Sequence, residues 1–348
     1  MNRKVVLKIL ILSIFLLLIV LLNYKNNIED FTNIARTNTT EDEYLEPILR
    51  ILYSDEIKYI DSRESSDLIL TQNAIPSIKK PYILMNGEPN LRQFEMRITN
   101  PNYNNSKENW IGSTESQLYF TALTDPYCVG CIVTTLDFVD TSKTFYVPLV
   151  LDRGHDSFTK SPFVRQFTNS ERPFLAAYVA KHSPVHRDEF FKELRALDET
   201  VDGLGEANHT KDVKIPPRSS WWELPQIYKD YKFGFALENI NEKGYISEKI
   251  MNVYLGGAIP LYWGTSVVKE IFNPESFVYL NDFPDLKAAA KYVYELSKDE
   301  SRLKAMREAP IFVKDSPYEQ YYNVPPPQWV VDIANKIKQN MEKIKLLT

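Results

Sequence analysis

The sequence predicts an α/β protein of two units facing a cleft, preceded by one N-terminal transmembrane helix. Three observations predict it. An apolar run opens the chain. Short apolar runs separated by polar turns fill residues 44–168, and strand-like and helix-like patterns then alternate through residues 169–325. The 348 residues exceed the ~100–200 usual for one domain, so two domains are the natural count. An apolar fraction of 44% supplies cores of that size. The net charge of −5 offers no basic field for a phosphate backbone, so nucleic acid is not an expected partner.

Residues 1–4 carry Arg3 and Lys4 and read as a cytoplasmic tail. Residues 5–22 are apolar except for Lys8 and Ser13. Eighteen helical residues span ~27 Å, close to the hydrocarbon thickness of a bilayer. A cleaved signal peptide carries a shorter apolar core and a small-residue cleavage site. Here Leu22 runs into Asn23-Tyr24-Lys25 with no such site, so residues 5–22 are expected to be an uncleaved signal anchor. The cations precede the span and Glu29 and Asp30 follow it, which places the bulk of the chain on the lumenal side as a single-pass type II protein. Residues 23–43 are polar and read as a stem. Sequons at Asn38, Asn104 and Asn208 agree with a lumenal location. The only cysteines, Cys128 and Cys131, lack the further ligands zinc needs. In a lumen they read as a small-loop disulfide, with two free thiols as the alternative.

In the first unit, residues 44–168, strands are expected over 67–71, 81–85, 117–122, 131–134 and 144–151. The second unit, residues 169–325, opens with a buried type of strand over 172–180. Phe190, Phe191, Leu194 and Leu197 give residues 187–197 helical spacing, and 203–220 reads as loop. Further helices are expected over 285–296 and 301–307, and an amphipathic one over 328–347 within a C-terminal segment 326–348.

The chemistry concentrates in residues 231–264, which read as strand, loop, helix and strand. Phe233 to Leu237 form a buried strand, and Glu238-Asn239 lie at its carboxyl end, where open α/β sheets place ligands. A helix is expected from about Ile246 to Gly256-Gly257. Pro260, in the strand that follows, counts against a central position because it cannot donate to the ladder. Lys249 falls in the first helical turn, where a cation opposes the helix dipole. Either a bound anion such as a pyrophosphate or a nearby carboxylate such as Glu248 accounts for it.

Glu238, Asn239, Tyr245, Glu248, Lys249, Pro260 and Gly264, at this spacing, resemble the donor-binding signature of the α1,3-fucosyltransferases of glycosyltransferase family 10. The resemblance continues through residues 273–283. Ser247, Ile240 and Leu237 depart from the usual Thr, Ser or Thr, and Phe. It implies a GT-B fold of two Rossmann-like domains, with GDP-fucose held by the C-terminal one near Asn239, Tyr245, Glu248 and Lys249. Lys249 would neutralise the pyrophosphate, and Tyr245 and Glu248 would hold ribose or sugar hydroxyls. Residues 180–191 are similar to a family segment in which an Arg before a helix meets the phosphates, which makes Arg187 the second cation.

Inverting transfer needs a carboxylate to deprotonate the acceptor hydroxyl. Met85-Asn86-Gly87-Glu88-Pro89-Asn90 stands where the family has a Glu after a strand, so Glu88 is the expected base. With Arg187 and Lys249 on the leaving group no metal is required, and no D-x-D triplet is present, although a divalent ion that stimulates the reaction stays open. The four histidines lack zinc spacing and read as ordinary. The resemblance implies an α-linked product, expected as α1,3 to GlcNAc on an N-glycan or lactosamine-type acceptor. With the anchor it implies a Golgi-like compartment. Two other readings stay open: a GT-B transferase for another nucleotide sugar, and an anchored glycan-binding or inactive relative.

Overall fold

The computed structural model describes residues 33–36, 45–53, 58–60, 65–71, 79–86, 124–136, 142–153, 163–181, 184–216 and 218–345. In chain order the first unit comprises β1 (Asn33–Arg36), α1 (Glu46–Tyr53), β2 (Lys58–Ile60), β3 (Leu68–Thr71), β4 (Tyr82–Asn86), β5 (Cys128–Val133) and β6 (Thr144–Tyr146). The second comprises β7 (Phe174–Tyr178), α2 (Val185–Arg195), β8 (Val201–Gly203), β9 (Tyr231–Leu237), α3 (Glu248–Leu255), β10 (Ile259–Trp263), α4 (Val268–Ile271), β11 (Val278–Tyr279), α5 (Leu286–Leu296) and α6 (Glu300–Glu308). The long helix α7 (Gln328–Lys345) follows.

Each unit is built on a parallel sheet. The first has the strand order β2-β1-β3-β4-β5-β6 and the second β11-β10-β9-β7-β8. Both meet the expectation of two α/β units. Parallel strands covered on both faces read as unbroken apolar runs. β5 does so, with all six residues buried. In β9, Gly234 makes room for its cover, since a Cβ there would lie 2.7 Å from Val253 of α3 and 2.8 Å from Tyr228. α2 and α5 pack against one another in the second unit, and Asp285 caps α5 by accepting from the Ala288 N–H at 2.7 Å.

The chain returns to its start. α7 packs on α1 and β5 of the first unit. Its apolar stripe of Val330, Ile333, Ile337, Met341 and Ile344 is buried there. The amide of Asn340 donates to Val129 O at 2.9 Å and to Ser142 O at 3.2 Å. Arg172, at the entrance to the second unit, donates to the carbonyls of Phe167, Tyr228, Tyr231 and Gly256 and closes that seam.

Several expectations are corrected. The stretch expected as stem, residues 23–43, contains β1, which pairs with both β2 and β3. Hydrogen bonding to two neighbours draws this short polar segment into the sheet. The strand expected over 144–151 stops at Tyr146, and Pro148 and a 3-10 turn over Leu149–Arg153 follow. The loop expected over 203–220 is flanked by β8 and by a 3-10 segment, Arg218–Asp230. Pro260 sits in a strand that has a neighbour on each side, but β11 pairs only from Leu261 onward. The ladder is therefore one-sided where the N–H is missing.

A bulge corrects the cysteines. Tyr82 pairs with Cys128 and Ile83 with Gly130, so β5 carries one extra residue. This restores Cys128 and Cys131 to the same parity. Their sulfurs lie 3.4 Å apart, a thiol hydrogen bond rather than the ~2.05 Å of a disulfide. Both are free and buried. Among the sequons, only Asn208 lies in the described residues, and its amide donates to Asp188 at 2.6 Å. Residues 5–22 lie outside the described residues, among which no helix is long and apolar enough to cross a membrane.

The position of β1 yields a test. A fragment beginning at Glu43 removes a strand from between β2 and β3, whereas one beginning at Asn26 keeps it. The shorter fragment is expected to melt at a lower temperature or to fail to fold, as read by thermal denaturation of the two.

Candidate active site

The second sheet ends in a cluster of charge. Glu238 follows β9 directly and is wholly buried. A buried carboxylate must be compensated. One oxygen accepts from the Ser247 N–H at 2.7 Å, and the Ser247 hydroxyl lies 2.9 and 2.7 Å from the two oxygens. The Lys249 ammonium reaches Glu238 at 3.2 Å and the Ser247 hydroxyl at 2.9 Å.

This cluster explains the start of α3. Ser247 is its N-cap residue, but the hydroxyl makes no cap bond because it is turned to Glu238. The helix begins at Glu248, two residues later than the sequence suggested. Ile246 is held outside it, its carbonyl accepting from the Val150 N–H at 3.0 Å. Lys249, the cation expected to oppose the dipole, has Glu238 as its partner rather than Glu248. Burial pulls the Lys249 pKa down, but Glu238 and Glu248 outweigh that and hold it above its usual value, with the Arg187 charge working against them.

Arg187 approaches from the first turn of α2 and is buried. Its guanidinium donates to Leu237 O at 2.5 Å and to Asn239 Oδ1 at 2.6 Å. The two expected cations thus flank Glu238-Asn239 from separate helices, and Asn239 itself is exposed. Glu248 is half-buried in the first turn of α3, where its charge suits the dipole. Tyr245 is buried, at 4% exposure, so its ring packs into the protein more than the sequence implied. Glu88 lies outside the described residues. The strand before it ends at Asn86, opposite Val133 at the carboxyl edge of the first sheet.

Sequence reasoning left several residues of this site without a role. Glu238 and Ser247 stood in the motif, yet no pattern in one chain reveals that they bind each other. His186, read as ordinary, stacks on Trp263 with centroids 3.8 Å apart, and its Nε2 lies 2.9 Å from Glu238 O. A carbonyl only accepts, so Nε2 carries the proton in the neutral ring. Burial pushes the His186 pKa below 6.5, opposed by the bond to the carbonyl and reinforced by Arg187. Gly264 closes the floor. A Cβ there would lie 2.7 Å from the Tyr262 hydroxyl and 3.1 Å from Glu238 Cγ. Its N–H donates to Asn281 at 3.1 Å and its carbonyl accepts from Tyr279 at 2.9 Å. Among the described residues no group of three or more His, Cys, Asp or Glu is placed to hold a metal ion.

Two outcomes are expected. Glu238→Gln strands the Lys249 ammonium beside a neutral amide and costs about 3 kcal/mol in urea denaturation. In the wild type, the raised Lys249 pKa keeps this contribution complete below 10.5 and loses it as pH climbs through the folded-state value. The variant loses that alkaline dependence. His186, with its lowered pKa, binds its proton more readily in the unfolded chain, so stability falls as pH drops below 6.5. Imidazole NMR titration is expected to give a midpoint under 6.5 for His186, and a value at or above it contradicts the burial described.

Residues 169–306 match the family model for glycosyltransferase family 10 (fucosyltransferase), C-terminal. The alpha-(1,3)-fucosyltransferase FucT of Helicobacter pylori is 30% identical over 153 residues, 43% of this chain and 30% of that protein. The GDP-fucose protein O-fucosyltransferase 3 of Gallus gallus is 29% identical over 152 residues, 41% of this chain and 32% of that protein. This chain therefore spans about a third of the length of these curated relatives. A crystal structure of an alpha1,3-fucosyltransferase with GDP-fucose aligns with a TM-score of 0.57 at 20% identity, covering 88% of this chain and 90% of that one. The fold is thus the two-sheet GT-B type that the sequence implied. The second sheet, the buried Glu238 cluster and both cations all lie within residues 169–306, the segment similar to the C-terminal domain of glycosyltransferase family 10, the fucosyltransferases.

Proposed function

We propose that this chain transfers L-fucose from GDP-fucose to a glycan hydroxyl with inversion, forming an α1,3 linkage to GlcNAc. One observation carries the reading: Arg187 and Lys249 converge from two helices on the carboxyl end of β9, beside the exposed Asn239. A leaving nucleoside diphosphate develops negative charge there, and preorganised cations stabilise it as the bond breaks. Lys249 retains about a quarter of its side-chain exposure, so it can face a phosphate while paired with Glu238. Asn239 is oriented by Arg187, and Glu248 offers a carboxylate to ribose or sugar hydroxyls from the start of α3. Tyr245, next in the same loop, backs that wall.

In the step itself, the acceptor oxygen attacks the anomeric carbon of the β-linked donor. Its proton passes to Glu88, and the carbon–oxygen bond to the diphosphate breaks with its electron pair leaving on GDP. The two cations supply the positive charge this needs, so the step is assigned no metal. The end of β4, opposite Val133, supports Glu88 in this role, because the adjoining end of β5 already touches the donor loop through Leu136. The α1,3 assignment draws on the name of the Helicobacter relative, while that of the chicken relative denotes transfer to protein. We also propose that residues 5–22 anchor the chain as a type II protein, with this site on the lumenal face of a Golgi-like compartment.

The test is incubation of detergent-solubilised full chain with GDP-fucose and a glycan panel. Lys249→Ala is expected to weaken GDP binding at least ~10-fold. Glu88→Gln is expected to lose at least ~100-fold in kcat while still binding GDP. Equal binding of UDP and GDP by the wild type, or near-normal turnover by Glu88→Gln, contradicts the assignment.

A further inference from the structure

The loop from Asn239 to Ser247 carries the proposed donor contacts, yet much of what fixes it comes from the other unit. The Leu136 N–H donates to Lys243 O at 2.9 Å, and the Val150 N–H donates to Ile246 O at 3.0 Å. Between them the Tyr146 hydroxyl, at the carboxyl end of β6, donates to Gly244 O at 2.8 Å. The second unit adds a bond from the Gly244 N–H to Thr265 at 3.2 Å and a turn bond from the Tyr245 N–H to Glu242 O at 3.1 Å.

Gly244 is the conformational weak point. Its φ of +85° lies in the left-handed region, and a Cβ would stand 2.8 Å from Leu136 Cγ. Glycine is needed there, but it leaves the loop with many alternatives to the observed path. Fixing its carbonyl removes them, and the next residue is Tyr245, followed after two more by Glu248 and Lys249. Of the three bonds from the first unit, only that of Tyr146 comes from a side chain. Burial raises its phenol well above 10, so it stays a donor throughout the neutral range.

We infer that Tyr146 is a positioning residue for the donor loop: by holding the Gly244 carbonyl from the opposite unit, it sets where Tyr245, Glu248 and Lys249 meet the nucleotide. This rests on the donor reading proposed above. The donor site is then complete only while the two units stay docked, although the nucleotide's own contacts come from the second.

The experiment compares wild type, Tyr146→Phe and Tyr82→Phe in detergent-solubilised full chain. Tyr82 donates to Asp125 at 2.9 Å inside the first unit, so its loss reports ordinary destabilisation. Amide hydrogen exchange over residues 243–247 is expected to rise ~2–10-fold in Tyr146→Phe, the range of one hydrogen bond, and not in Tyr82→Phe. KM for GDP-fucose is expected to rise by a similar factor in Tyr146→Phe, with kcat changed less than about twofold. Unchanged loop exchange in Tyr146→Phe, an equal rise in Tyr82→Phe, or an unaltered KM overturns the inference. If the wild type binds no GDP, the donor reading falls, and the exchange comparison alone still decides whether Tyr146 orders the loop.

Discussion

The buried carboxylate of Glu238 is the constraint around which the second unit is arranged. A charge with no exposure, at the end of a central strand, requires donors and a counter-charge within reach. Ser247 and Lys249 supply them from across the donor loop. Their bonds close that loop into a ring, delay the first turn of α3 and hold an ammonium where the helix dipole disfavours one. Gly264 leaves space for the carboxylate's stem, and His186 caps its backbone carbonyl. The same interaction that satisfies a buried acid therefore delivers one of the two cations on which the proposed chemistry depends.

Arg187 solves a complementary problem. Its guanidinium is buried and donates to the Leu237 carbonyl and to the side chain of Asn239. Glu238 compensates Lys249, and the Arg187 charge lowers the pKa of both Lys249 and His186. A neutral imidazole beside these two cations avoids a third.

The first unit contributes more than an opposing wall. β5 and β6 end where the donor loop runs, and α7 ties the far end of the chain back onto β5 through Asn340 and Ile337. The return of the chain through α7 joins the end of the second unit to the first.

The apolar runs of β3, β4, β5, β7 and β9, the amphipathic stripe of α7 and the spacing from Glu238 to Lys249 were legible because period and composition are local properties. They carried the two-unit α/β architecture and the resemblance to the family. β1 was not legible, since four residues in a polar stretch become a strand only when neighbours accept their hydrogen bonds. β8 was short for the same reason. The state of Cys128 and Cys131 was not legible, because a spacing of three residues suits a disulfide and two free thiols alike. The partners of Lys249, Arg187 and Gly244 lie 11, 50 and 98 residues away in the chain. By itself the sequence determined which charged and polar residue types stand beside the end of β9. Only the tertiary structure decided which of those charges compensate one another, because desolvation and hydrogen bonding depend on distances that folding alone creates.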